Sequence, residues 1–276
     1  MTPARALPAV ISFLSDYGRQ DEFVGVCHGV MVRRCPSVRI IDLTHEIARH
    51  DVLAGALALR AALHYLPEGV HLAVVDPGVG TSLRRAVALR TAGEDRLLVG
   101  PDNGLLMPGA ERLGGVAEAV DIGESPERLR PVSRTFHGRD IFAPVAAALA
   151  AGVPLADVGE PLDAAALQDL ELPAARVDGG ALTAHVLHAD AFGNLSLDAS
   201  AEQLQELAAH VGDLLAVGHA GTTHLARYAL AFADVAAGEL LVYEDSRGAL
   251  ALGVNRGSAA QLLGAAGEDE LVVRRT

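Results

Sequence analysis

The sequence predicts an α/β protein: an N-terminal Rossmann-like domain with a mainly parallel sheet, residues 1–171, then an antiparallel, β-barrel-like domain, residues 172–276. Three observations carry this. Apolar, β-branched runs at residues 9–14, 38–43 and 70–75 alternate with segments of helical spacing, which implies parallel strands joined by right-handed crossovers. From about residue 154 to 180 the pattern lapses into Pro, Gly and Asp with few periodic runs, and the domain boundary is placed there, near Leu172. Beyond it the apolar runs are short and alternating, as in a small barrel.

Taken in order, residues 9–14 form the first strand and Ser15-Asp16-Tyr17-Gly18 the turn that ends it. The stretch 6–14 has the length of a short signal core, but Asp16 follows at once without a small-residue cleavage pattern, so a strand is the better reading. Phe23, Val24, Cys27, Val30 and Met31 recur at helical spacing over 23–34. A second strand, 38–43, stops at Asp42, Thr44 and His45. Asp51 caps a helix that runs to about Tyr65, where Pro67-Glu68-Gly69 breaks it. Residues 70–75 are the third strand, 86–90 and 96–99 two more around Gly93, and 116–121 another. Gly100-Pro101-Asp102-Asn103-Gly104 is a tight loop, and 140–151 an amphipathic helix. The second domain holds strands at 182–187, 195–197, 214–217, 240–243, 249–254 and 271–274, a helix at about 201–210, and a short helix at 259–263 capped by Ser258.

Composition narrows the function. The 276 residues are 50% hydrophobic and 21% charged, so the chain is globular. A net charge of -13 argues against a nucleic-acid backbone or an anionic membrane as partner, and is mildly permissive of a cationic ligand. All positive side chains are Arg; there is no Lys. Cys27 and Cys35 are in no CxxC pair and read as buried thiols of a reducing compartment. No run approaches the roughly 20 apolar residues of a spanning helix, and the expected location is the cytoplasm.

The chemistry is expected around Val74-Val75-Asp76-Pro77-Gly78-Val79-Gly80-Thr81, followed by Arg84-Arg85. A buried strand delivers a carboxylate into a rigid loop, where parallel-sheet proteins keep their sites. The loop is neither a Walker motif, since no Lys-Ser/Thr follows, nor a GxGxxG fingerprint. A carboxylate and an Arg pair in one loop suit fixing a polar reactant; an ion pair bracing the loop explains the same letters. His137, in the Gly turn of Ser133-Arg134-Thr135-Phe136-His137-Gly138-Arg139-Asp140, can serve as base or hydrogen-bond donor. Asp16 has the two oxygens that grip ribose hydroxyls, but on spacing alone a turn or cap is the leading reading. Asp190, Phe192 and Asn194 combine a flat apolar face with polar groups, fit for a purine or an amino acid, or simply for a β-turn. Ser246-Arg247-Gly248 is a hairpin turn whose Arg can bind a carboxylate bidentately. His45, His50 and Asp51 match no standard ligand spacing, so no metal is expected there. No GxSxG elbow is present.

Together these blocks resemble one family over nearly the whole chain: the S-adenosyl-L-methionine (SAM) hydrolases that form adenosine, or SAM hydroxide adenosyltransferases, relatives of the SAM-dependent fluorinase and chlorinase. The resemblance rests on Phe13-Leu14-Ser15-Asp16-Tyr17-Gly18, Asp42-Leu43-Thr44-His45, Gly100-Pro101-Asp102-Asn103-Gly104, Phe192-Gly193-Asn194 and Asn255-Arg256-Gly257-Ser258. The blocks specific to it are Asp76-Pro77-Gly78-Val79-Gly80 and Phe136-His137-Gly138-Arg139-Asp140.

The resemblance implies a homotrimer with substrate held between the N-terminal domain of one subunit and the C-terminal domain of its neighbour. It puts the water-activating trio on Asp76, Arg84 and His137, with Arg85 the alternative because this loop is one residue longer than usual. Ribose falls to Asp16 with Asp21 nearby. Asp190, Phe192, Asn194, Ser246, Arg247, Val254 and Asn255 complete the substrate-binding set, with Ser246 and Arg247 matching the halogenases' methionine-carboxylate turn. The implied reaction is attack of water on ribose C5′ of SAM, giving adenosine and L-methionine without cofactor or metal. The alternatives are a halogenase of the same fold and a SAM- or adenosine-binding protein without turnover. The halogenases carry Tyr where Asp76 stands, and the fluorinase Ser where Gly138 stands; a carboxylate repels halide.

Overall fold

A computed structural model describes residues 9–82 and 84–276. Residues 6–8 of the possible signal core lie outside the described residues. The chain divides into two compact units, Met1–Leu170 and Glu171–Thr276.

The first unit is built on a seven-stranded sheet. Its elements are β1 (Val10–Ser15), α1 (Phe23–Arg34), β2 (Arg39–Thr44), α2 (Val52–Leu63), β3 (Val70–Val74), β4 (Ala86–Thr91), β5 (Leu97–Pro101), α3 (Met107–Arg112), β6 (Val116–Asp121), α4 (Ala143–Ala150) and β7 (Glu160–Leu162). The strand order is β2-β1-β3-β5-β4-β6-β7. β2, β1, β3 and β5 are parallel, and β4, β6 and β7 extend the sheet antiparallel. The period of two sorts the strand residues onto two faces. Ile11, Phe13, Val70, Leu72 and Val74 pack with Cys27 and Met31 of α1 and with α4. Leu14, Ala73, Val75, Val87 and Leu89 pack with Leu59 and Leu63 of α2 and Ala110 of α3.

Asp51 caps α2 as the sequence predicts, its Oδ1 accepting from Ala54 N at 2.8 Å. The helix expected over 140–151 differs in kind. A π-helical turn, Gly138–Phe142, leads into α4, and every residue of 143–149 is buried. The helix is therefore enclosed, not amphipathic; its alanines allow it to pack against both α1 and β3. α3 is unforeseen; adjacent Pro108 and Gly109 usually punctuate helices rather than open them. Pro fits a helix's first turn, and a Cβ at Gly109 would sit 2.8 Å from Leu63 Cδ1.

The second unit holds β8 (Arg176–Asp178), β9 (Ala181–Ala189), β10 (Leu195–Leu197), α5 (Ala201–Glu206), β11 (Leu214–His219), β12 (Thr222–Tyr228), β13 (Leu240–Glu244), β14 (Leu250–Val254), α6 (Ala259–Leu263) and β15 (Glu270–Arg275). The ladder β9-β10-β14-β13-β12-β11-β15 returns to β9, closing a seven-stranded barrel, with β8 added along β9. All neighbours in the ring are antiparallel except β12 and β13. Its core includes Leu182, Leu195, Leu215, Val242, Leu252 and Leu271. Ser258 caps α6 through Gln261 N at 3.1 Å. β12 is absent from the sequence reading because only Ala226 and Tyr228 of its seven residues are buried. α5 stops at Glu206, short of the expected His210, and Ala208 has a φ of 52°.

Candidate active site

β3 carries Val74 and Val75 into the core and releases Asp76 at its carboxyl end. The loop then folds on itself: Val79 N donates to Asp76 O at 3.3 Å, and Thr81 N and Oγ1 donate to Gly78 O at 3.2 and 2.8 Å. Gly80 has a φ of 76°, and a Cβ there would stand 2.1 Å from Arg134 O. Only glycine lets this loop approach the 133–137 loop so closely.

That approach brings Asp76, Arg84 and His137 together. Arg84 donates from Nε to Asp76 Oδ1 at 3.0 Å and from Nη2 to Oδ2. Its Nη2 also lies 3.0 Å from His137 Nδ1. The Asp76 and Arg84 side chains are only 6% and 7% exposed, so solvent screens this pair weakly. Burial pushes the Asp76 carboxyl above its usual range, against the pull of Arg84 and His137. Burial, then the Arg84 charge, pushes His137 down. With Arg84 donating to Nδ1, the neutral ring carries its proton on Nε2, a tautomer assigned from the network. Phe142, from the π-helical turn, backs the guanidinium, with Arg84 Cζ 5.3 Å from its ring centroid.

Arg85 goes elsewhere: its Nε donates to Asp102 Oδ2 at 2.8 Å and its Nη2 to Ala166 O. Geometry thus joins Arg84, not Arg85, to Asp76. Arg139 and Asp140 form a bidentate pair at 2.6 and 2.9 Å, and Asp140 Oδ2 accepts from Ser133 N at 2.7 Å, so these two fasten the loop.

Asp16 lies at the carboxyl end of β1, beside β3; its backbone N donates to Val74 O at 3.4 Å and its Oδ2 accepts from His50 N at 3.0 Å. Asp21 sits in the exposed turn before α1. His50 and Asp51 therefore serve Asp16 and the α2 cap, and do not meet His45 through their side chains. Tyr17 enters the sequence analysis only as part of the turn after β1, not as a site residue. It is half-buried, meets Phe13, Phe23 and Phe136 with ring centroids 6.4, 6.0 and 5.8 Å away, and aims its hydroxyl at Gly138. A Cβ on Gly138 would stand 2.0 Å from Tyr17 Oη. Burial raises the phenol well above its ordinary pKa, so it stays protonated. Its signal in the sequence was an aromatic between a site carboxylate and a turn glycine.

In the second unit, Asp190, Asn194, Ser246 and Arg247 border one cavity of about 300 Å³, with His188, Tyr243 and Asp245. The Asp190 carboxylate is engaged locally: Oδ1 accepts from Phe192 N and Asn194 N at 2.9 Å each, and Oδ2 from Asn194 Nδ2 at 2.8 Å. It shapes the turn that presents Asn194. Asp245 does the same for the hairpin, accepting from Arg247 N at 2.8 Å and Ala249 N at 3.1 Å. Phe192 is 79% exposed in the described chain, a large apolar face turned outward. Val254 is buried at the end of β14, and Asn255 donates from Nδ2 to Val235 O at 2.8 Å; neither borders the cavity.

Among the described residues no helix is long and apolar enough to cross a membrane.

Comparison with known proteins follows the two-unit division. The family profile of the SAM hydroxide adenosyltransferase N-terminal domain matches residues 11–159, and that of the C-terminal domain matches 184–272. An (R)-S-adenosyl-L-methionine hydrolase of Salinispora tropica is 50% identical over 263 residues, covering 95% of this chain and 97% of its own. A fluorinase of an Actinoplanes species is 31% identical over 279 residues, covering 92% of this chain and 93% of its own. The crystal structure of an uncharacterized conserved protein from Thermotoga maritima superposes with a TM-score of 0.89 at 40% identity, covering 96% of this chain and all of the other. A match to both domains in order, with a half-identical relative along almost the full length, establishes that this chain belongs to the SAM hydroxide adenosyltransferase family.

Proposed function

We propose that this protein hydrolyses S-adenosyl-L-methionine to adenosine and L-methionine. The observation that carries the reading is the buried Asp76 carboxylate held by Arg84, which in turn touches His137. A protein that only holds a ligand has no need of a buried base, guanidinium and imidazole in one row.

The sulfonium of SAM is an activated leaving group, because it departs as neutral methionine. A water oxygen attacks ribose C5′ in line; the C5′–O bond forms as the C5′–S bond breaks, and the electron pair stays on sulfur. The water's proton passes to Asp76 and then to solvent. Each Asp76 oxygen has lone pairs beyond those facing Arg84, so it can accept from water while the pair persists. Arg84 and the His137 Nε2–H favour negative charge on the attacking oxygen. Placement of the reactants can supply about 7–11 kcal/mol, and general-base help roughly 10²–10⁴-fold.

Asp16, with Asp21 nearby, takes the ribose hydroxyls. Asn194 and Phe192 take the adenine and methionine ends, and Ser246 and Arg247 the methionine carboxylate. Val254 and Asn255 complete the substrate-binding set implied by the resemblance, from outside the Asp190 cavity. Both groups of residues act together in a homotrimer, in which the neighbouring subunit supplies the second group. The reading places the enzyme in the cytoplasm and uses protein groups alone at C5′, with no cofactor and no metal. Halogenation is the weaker reading: a buried carboxylate at Asp76 repels halide but suits water.

The test is to incubate the purified protein with SAM in halide-free ¹⁸O-water. Label at O5′ of adenosine, released with methionine, supports the reading. Turnover only on adding chloride or fluoride, or SAM bound and unreacted, overturns it.

A further inference from the structure

The structure brings together a second group of residues, outside the Asp76 site and invisible to sequence spacing. His28 lies on α1, Asp42 on β2, and His45 in the loop that follows. His28 Nε2 is 2.8 Å from Asp42 Oδ1, and His45 Nε2 is 3.0 Å from the same oxygen. The three ligand atoms all lie within 4.8 Å of one another. We propose that His28, Asp42 and His45 bind a divalent transition-metal ion of the zinc type, which staples α1 to the ends of β1 and β2.

Four observations support this. First, His45 is wholly buried, yet its Nε2 makes no hydrogen bond of acceptable geometry, despite the nearby carboxylate. Buried polar atoms are rarely left this way, and each orphan asks for an explanation. The Asp42 carboxylate pairs well with His28, whereas its 3.0 Å approach to His45 lacks hydrogen-bond geometry and satisfies that buried nitrogen only in part.

Second, the far side of His45 is fixed. Its Nδ1 meets Ser15 Oγ at 2.7 Å, and its backbone O accepts from Gly18 N at 2.7 Å. Metal-binding histidines are oriented in this way through the other ring nitrogen.

Third, the surroundings suit a metal. Phe13 lies edge-on to His45, ring centroids 4.6 Å apart, and 6.1 Å from His28, giving an apolar floor. His28 and Asp42 are each 31% exposed, which leaves a side open for water ligands. Arg19, in the exposed turn after β1, also places positive charge near His45, and must turn toward solvent when a cation binds.

Fourth, the donor set selects the ion. Two imidazoles and one carboxylate favour zinc and its neighbours over calcium or magnesium, which prefer all-oxygen shells. Tetrahedral zinc with bonds of about 2.0–2.1 Å sets its ligand atoms about 3.4 Å apart. The observed 2.8 and 3.0 Å open by a few tenths of an ångström to reach that. The ion sits beside the Asp16 turn and has no role at the reacting carbon, so its presence is independent of the proposed hydrolysis.

The test uses the full chain, stripped with EDTA and titrated with zinc chloride by calorimetry. One zinc per chain is expected. His28→Ala and Asp42→Asn, both at partly exposed positions, are each expected to weaken binding at least about 10–100-fold, the range known for merely outer-shell partners. His50→Ala, outside the cluster, should change nothing. X-ray absorption on the zinc-loaded, unmutated chain should show two imidazoles in the metal's shell. Absence of saturable uptake, binding that survives both substitutions, or a shell with fewer than two imidazoles overturns the proposal.

Discussion

Arg84 lays Nε and Nη2 along the two carboxylate oxygens of Asp76, and the same Nη2 reaches His137 Nδ1 at 3.0 Å. One planar side chain thus fixes both the base and the imidazole. Lysine cannot reproduce this, because its ammonium is a point charge without a fork. Arg84→Lys is therefore expected to lower kcat by about 10²–10³, the loss typical of removing one preorganised donor, with little change in SAM affinity. Arg85→Lys disturbs only the contacts with Asp102 and Ala166 and should cost stability, not turnover. Adenosine release measured for both variants decides; the reverse order of sensitivity would sink the assignment of Arg84.

The pH profile follows from the two shifts. Burial raises Asp76, so the acid limb of kcat/KM should lie above the ordinary carboxylate value of about 4. Burial and Arg84 lower His137, so its protonation falls below the ordinary histidine value of about 6.5. The acid limb should therefore be set by Asp76, above the ordinary carboxylate value, and not by His137 at its ordinary value. A limb at or above 6.5 that disappears in His137→Gln would contradict a neutral imidazole.

Gly138 and Tyr17 are locked in contact. Gly138→Ala puts a methyl 2.0 Å from Tyr17 Oη and 3.0 Å from its Cζ. The ring is held by Phe13, Phe23 and Phe136, so relief needs a shift of the site loop. Overpacking of this kind costs about 1–3 kcal/mol. Adding Tyr17→Phe should return part of that, with a coupling of about 0.5–3 kcal/mol in a denaturation double-mutant cycle. Additive effects would show that the two do not touch.

His71 predicts acid sensitivity far from the site. It is fully buried between Ser12 and Arg96, its Nδ1 2.8 Å from Ser12 Oγ, and burial lowers its pKa to about 3. Between that value and about 6.5, the unfolded chain binds a proton there and the folded chain does not. Unfolding takes up that proton, so stability falls as pH drops through this window, by up to about 1.4 kcal/mol per pH unit. Urea denaturation at pH steps across it should show this slope, and His71→Gln should reduce it by about one proton.

What could be read from the sequence divides along physical lines. Asp76, Arg84 and His137 lie in loops whose strands are announced by apolar runs, and parallel strands put their carboxyl ends on one edge; the structure brings those three together. Choosing Arg84 over Arg85 needed coordinates, since neighbours in a loop point in directions that letters do not encode. β12 escaped notice because a barrel strand with one wet face buries little, here Ala226 and Tyr228. The pairing of His28 with Asp42 and His45 depends on how α1 lies over β1 and β2, a tertiary relation without a spacing signature. Asp190 illustrates the opposite case: a carboxylate that its residue type marks as a ligand, and that the structure spends on three local donors.

The barrel's single parallel pair is a matter of arithmetic. Up and down can alternate around a closed ring only if the number of strands is even. Seven strands therefore force one like-directed neighbour pair, and β12–β13 is that seam. No single strand can be deleted from the ring or inserted into it without abolishing or relocating the seam, so changes in strand number that preserve it come in pairs. The chain crosses the seam through residues 229–239, which join the two like-directed strands. That crossover has to run from one end of the barrel to the other, a length that no antiparallel hairpin has to span.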